Sequence, residues 1–191
     1  FLKPKGILPT HILHINPSEN GSVLWFTKSM KRQLFFTENL GISNGTAEVT
    51  AMLWLANKRS LKIFALSSNR RPTEKTELFY APFFNVYENG NVCMGTVDVN
   101  IQNSTSLEEF IKKWEDYFFN SYFSHLMNEH NPINGNCVSL WKSLINKYKP
   151  FPKEASFIMC VFRCKILTTK IGGASPPQNR IFSLPQHDIF Q

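Results

Sequence analysis

Asn85 and Cys93 stand eight positions apart, and between them lies Glu88-Asn89-Gly90-Asn91. Asn-Gly supplies the positive φ that a tight turn requires. The spacing therefore predicts a compact hairpin that brings a carboxamide and a thiol to one small space. A thiol is a strong nucleophile near neutral pH, because a few per cent of it is already thiolate. A fixed amide N–H can stabilise the oxyanion that forms when an amine attacks a thioester. Gly95, just after Cys93, leaves room for a second chain to approach. The chemistry these residues could do is acyl transfer through a thioester. Cys93 also admits a bland reading as a buried strand thiol, a common fate of free cysteine.

Other polar residues could take part. His125 and His130 flank the end of a helical stretch, Cys137 follows, and Cys160 and Cys164 lie four apart. These types bind zinc, but no Cys-x-x-Cys pair occurs, and Cys160 to Cys164 reads as one face of a strand. Packing is the reading adopted, with neither a metal nor a cofactor expected. His125 reads as a helix-end residue bonded to a backbone carbonyl, or as a proton shuttle for Cys93. Asp98 could orient or deprotonate an incoming lysine, or be an exposed strand-end carboxylate. Gly172-Gly173 resembles a ubiquitin-like terminus, but residues 174–191 follow it. It is read as the start of an extended or flexible tail.

The elements that must position Cys93 follow from the hydrophobic pattern. Ile12–Ile15, Ser22–Thr27, Gln33–Thr37, Val49–Ala56 and Leu61–Leu66 are β-rich runs separated by turn residues. They predict a meander of four or five antiparallel strands. Leu61–Leu66 carries apolar residues on both faces, so both should be covered. Ser106-Leu-Glu-Glu109 is a capping box. Leu107, Phe110, Ile111, Trp114 and Phe118 then form one apolar stripe, predicting a helix to about Leu126 that packs on the meander. A second helix is expected over Val138–Tyr148, with Leu140, Trp141, Leu144, Ile145 and Tyr148 on its apolar side. Pro150 and Pro152 end it. Ser156–Leu167 reads as a strand or buried segment. The class is α+β, an antiparallel β-meander followed by helices. One domain is expected over 1–171 and a tail over 172–191, with no internal repeat.

Composition bounds the rest. Seventeen Phe and four Trp, within 191 residues, are mostly core filler. No run approaches the roughly 20 apolar residues of a membrane span. Four Cys without a signal peptide indicate reduced thiols and a cytoplasmic location. The chain begins at Phe1 rather than Met, as a fragment would. A net charge of +7 favours an acidic partner, nucleic acid included. The lysines and arginines are dispersed, however, with small groups at Lys28, Lys31 and Arg32, at Lys58-Arg59 and at Arg70-Arg71.

The segment Asn85, Gly90, Val92, Cys93 resembles the active-site segment of ubiquitin-conjugating enzymes in residue type and spacing. By that resemblance Cys93 is the thioester-forming cysteine and Asn85 the family's asparagine. A closer resemblance, over most of the chain, is to the PRTRC system protein B family, family D of the prokaryotic ubiquitin-conjugating-like proteins. It is carried by Leu61-Lys-Ile-Phe-Ala-Leu66, Ala81-Pro-Phe-Phe-Asn85-Val86, Gly90-Asn-Val-Cys93-Met-Gly95 and Trp114-Glu-Asp-Tyr-Phe118-Phe-Asn-Ser121-Tyr-Phe123-Ser-His125. The resemblance implies a ubiquitin-conjugating (UBC-like) fold and a bacterial cassette of a mobile element. Its neighbours there would be a ThiF-like adenylating protein, a small ubiquitin-like protein and a ParB-like protein. Phe83-Phe84 departs from the wider family's His-Pro, so Asn85 must be supported differently. Two functions follow. One is a transferase that carries a ubiquitin-like protein or other acyl group on Cys93 and passes it to an amine. The other is a non-catalytic scaffold of the same fold that binds the ubiquitin-like partner or nucleic acid.

Overall fold

The computed structural model describes residues 1–18, 20–153 and 157–163. The tail over 172–191, Gly172-Gly173 and Cys164 lie outside the described residues. Among the described residues, seven strands precede the first α-helix: β1 (Ile12–Asn16), β2 (Ser22–Thr27), β3 (Met30–Phe36), β4 (Gly45–Val49), β5 (Met52–Ala56), β6 (Leu61–Ala65) and β7 (Glu77–Tyr80). Then come α1 (Leu107–Phe119), β8 (Tyr122–Phe123), α2 (Cys137–Leu144) and β9 (Met159–Arg163). The class is α+β, as the pattern of periods predicts.

The strands do not form one continuous meander. A six-stranded sheet runs β1-β2-β5-β6-β7-β9, antiparallel throughout, and a three-stranded sheet runs β4-β3-β8. β2 and β3 are joined by a short turn yet pair with different partners, β2 with β5 and β3 with β4. The run Val49–Ala56 is divided between the two sheets. At the break, Thr50 donates from its hydroxyl to the Leu66 carbonyl, and Leu66 N–H donates to the Ala51 carbonyl. These bonds anchor the crossing to the end of β6.

Alternation along the large sheet feeds two apolar clusters. Val23, Trp25, Trp54 and Ile63 join α1 in the main core, while Leu24, Phe26, Leu53 and Phe64 form a second cluster with Cys160. β6 is thus covered on both faces, as its unbroken apolar sequence requires.

α1 begins as the capping box predicts. Ser106 Oγ accepts from Glu109 N–H, and the Glu109 carboxylate accepts from Ser106 N–H. Its stripe of Leu107, Phe110, Ile111, Trp114 and Phe118 is buried, and Trp54 meets Phe118 edge-on at 5.5 Å. The helix is shorter than expected. It stops at Asn120, where Ser121 Oγ donates back to the Phe118 carbonyl, and Tyr122-Phe123 leaves to pair in parallel with Phe35-Phe36. α2 also ends early, at Leu144. Asn146 turns left-handed (φ 56°) and clasps Thr46, donating to its carbonyl and accepting from its amide. Tyr148, expected on the apolar side, is 93% exposed. Its ring lies under Lys31 Nζ at 4.6 Å.

Candidate functional site

The predicted hairpin forms. Gly90 N–H donates to the Tyr87 carbonyl at 2.8 Å, closing the turn, and Tyr87 N–H donates to the Asn91 carbonyl. Val86 pairs with Val92 across the two arms. The second arm also lies against β6, where Ile63 N–H donates to the Gly90 carbonyl and Val92 N–H to the Leu61 carbonyl. Gly90 has φ +82°, and a Cβ there would stand 2.5 Å from Phe64 Cζ. Only glycine fits this conformation and this contact together.

Asn85 sits at the base of the first arm with φ 61°, a left-handed conformation that asparagine tolerates better than most residues. Its backbone reaches both ways. Asn85 N–H donates to the His125 carbonyl at 2.9 Å, and its own carbonyl accepts from Cys93 N–H at 2.8 Å. The side chain turns towards residues 122–125. Nδ2 donates to the Tyr122 carbonyl at 2.8 Å. Oδ1 accepts from Ser124 N–H at 3.0 Å, from Ser124 Oγ at 2.8 Å and from His125 N–H at 3.4 Å. Asn85 therefore joins the cysteine loop to the segment after α1.

The two residues before Asn85 explain how it is held. Phe83 and Phe84 are buried, Phe83 against Phe118, Phe123 and Trp141 at 5.1–5.4 Å, and Phe84 edge-on to Phe36. Trp141 Nε1 donates to the Pro82 carbonyl at 2.7 Å. Aromatic side chains of α1, β8 and α2 thus anchor the segment that leads into Asn85.

Cys93 lies in the loop directly after the second arm and is half-buried, on the chain that leads to Ser106. A Cβ added two residues on, at Gly95, would meet nothing within 4 Å. Cys137 and Cys160 differ sharply, since both are buried. Burial pushes the Cys137 thiol up to about 12.

His125 is exposed, with Nδ1 2.8 Å from Ser124 Oγ. Ser124 is the residue that sequence reasoning missed, since an isolated serine after a helix carries no periodic or spacing signal. Asp98 is exposed in a loop rather than at a strand end. His130 stands apart from both, edge-on to Tyr80 at 4.5 Å, and burial lowers its pKa. Among the described residues, no three of His, Cys, Asp and Glu come together as a metal site would require. Among the same residues, no helix is long and apolar enough to cross a membrane.

Several basic residues have partners within the chain. Arg32 pairs with Glu115 at 2.8 Å, Lys58 binds Asn103, and Arg71 donates to the Ile12 carbonyl. Burial raises the Glu115 pKa, opposed by hydrogen bonding from Trp25 and by the Arg32 charge.

The α+β frame thus presents a hairpin with an asparagine at its base and a half-buried cysteine just past its second arm. The family model described as prokaryotic E2 family D matches residues 2–156, and the chain belongs to that family. No curated protein and no solved structure matches it.

Proposed function

We propose that this protein carries the carboxyl terminus of a small ubiquitin-like protein, or another acyl group, as a thioester on Cys93 and transfers it to an amine. The observation that carries the reading is the placement of Cys93. The residue is half-buried in a loop, its backbone is bonded to Asn85, and a Cβ added two residues on at Gly95 would meet open space. Family membership supports a conjugating role. In this reading, a ThiF-like adenylating protein and the ubiquitin-like protein of the same bacterial cassette supply the activated carboxyl group. The setting is the cytoplasm, where the free state of Cys93, Cys137 and Cys160 is the ordinary one. Asn85 has two amide hydrogens, of which the Tyr122 carbonyl takes one. The second is the one a developing oxyanion would receive.

The scaffold reading draws on that same residue. Both ends of the Asn85 side chain hold the 122–125 segment, a structural duty that needs no chemistry.

The test is to incubate the protein with both cassette partners and ATP. A Cys93 adduct should form and be released by a reducing thiol. The Cys93→Ser adduct should be an ester that resists the same thiol. A parent that forms no thiol-sensitive adduct, while the adenylating protein charges itself, leaves the scaffold as the function.

A further inference from the structure

The polar groups around Asn85 fix more than a loop. The orientation of its carboxamide is settled by its neighbours: the Tyr122 carbonyl needs a donor, and the Ser124 and His125 amides need an acceptor. Oδ1 therefore faces Ser124, and Ser124 Oγ, 2.8 Å away, must give it its single proton. That leaves Ser124 Oγ as an acceptor towards His125 Nδ1, also at 2.8 Å. The imidazole proton must then sit on Nδ1. In the neutral ring, this places the free lone pair on Nε2, and the residue is exposed. His125 and Cys93 flank the same residue, one bonded to the Asn85 amide and the other to its carbonyl. Two backbone hydrogen bonds, of 2.9 and 2.8 Å, thus link His125 to Cys93 through the single residue Asn85.

We propose that His125 takes the proton from the attacking amine in the transfer step, an inference that rests on the function proposed above. Ser124 and Asn85 are positioning residues that keep the Nε2 lone pair available. The amine nitrogen attacks the thioester carbon, the N–C bond forms, and the nitrogen gains a positive charge. Nε2 accepts a proton from that nitrogen. The C–S bond then breaks, Cys93 departs as thiolate, and the proton on Nε2 passes to water. The products are an amide and free Cys93.

The test needs no cassette partner. The full chain is acetylated at Cys93 by exchange with phenyl thioacetate, and its discharge into free lysine is followed by intact mass. Cys93→Ala gives the background. The rate is first order in loaded protein, so differences in loading drop out. His125→Ala should slow discharge by about 10²-fold or more, in line with loss of a general base, and added imidazole should restore part of it. His125→Gln keeps a donor to Ser124 without a basic lone pair, and should show the same loss if the alanine variant folds poorly. Discharge within about twofold of the parent, or a loss that imidazole leaves untouched, overturns the role of His125. A parent that takes up no acyl group at Cys93 overturns the transfer function itself, and this inference with it.

Discussion

Asn85→Ala measures how firmly the site is held together. The Asn85 side chain makes three well-formed hydrogen bonds, to the Tyr122 carbonyl, Ser124 N–H and Ser124 Oγ, and a longer one to His125 N–H. The residue is only 9% exposed, so water replaces these bonds poorly. At about 1 kcal/mol each, the three good bonds contribute about 3 kcal/mol. Alanine at φ 61° adds about 1 kcal/mol of backbone strain. The expected loss is about 4 kcal/mol, read from the urea midpoint at an unchanged slope. Asn85→Gly loses the same bonds without the strain, and should cost about 3 kcal/mol. Both sit below the roughly 5–15 kcal/mol stability of an ordinary domain, so both variants should fold. An Asn85→Ala protein within about 1 kcal/mol of the parent would show that the bonds to residues 122–125 hold nothing together.

Two further substitutions probe the frame. Trp114 is fully buried, and its indole N–H donates to the Asn57 carbonyl; Trp114→Ala should cost about 3–5 kcal/mol. Thermal unfolding like that of the parent would mean that α1 is peripheral to the core. Gly90→Ala forces a side chain to φ +82° and into the Phe64 ring, and should lower the melting midpoint by about 5 °C or more. An unchanged midpoint would show that the turn relaxes freely away from β6.

The parts of the site that were legible in the sequence are those held by local rules. Asn89-Gly90 announces a turn because Gly90 takes the positive φ at no steric cost, and the hairpin around it follows. Ser106 and Glu109 announce the start of α1, since each satisfies the other's backbone amide. What was not legible depends on contacts between distant segments. Ser124 and His125 meet Asn85 across 39 and 40 residues, and no spacing rule connects them. The apolar run Val49–Ala56 reads as one strand because hydrophobicity records burial, and burial continues while the chain changes sheets. Tyr148 continues the helical spacing of α2, but Asn146 binds Thr46 and ends the helix first.

The clasp at Asn85 joins a local half to a distant one. One half of it, the hairpin from Asn85 to Cys93, is local and can form as soon as β6 is available. The other half, Tyr122 to His125, arrives only after α1 in the chain and is held in place by pairing with β3. A chain in which α1 has not yet settled on the sheet therefore displays its cysteine without the residues that flank it. Local opening of the short stretch after α1 would return a folded molecule to the same condition while the large sheet stays intact. Such opening would part Asn85 from Tyr122 and Ser124 and leave the turn around Gly90 closed.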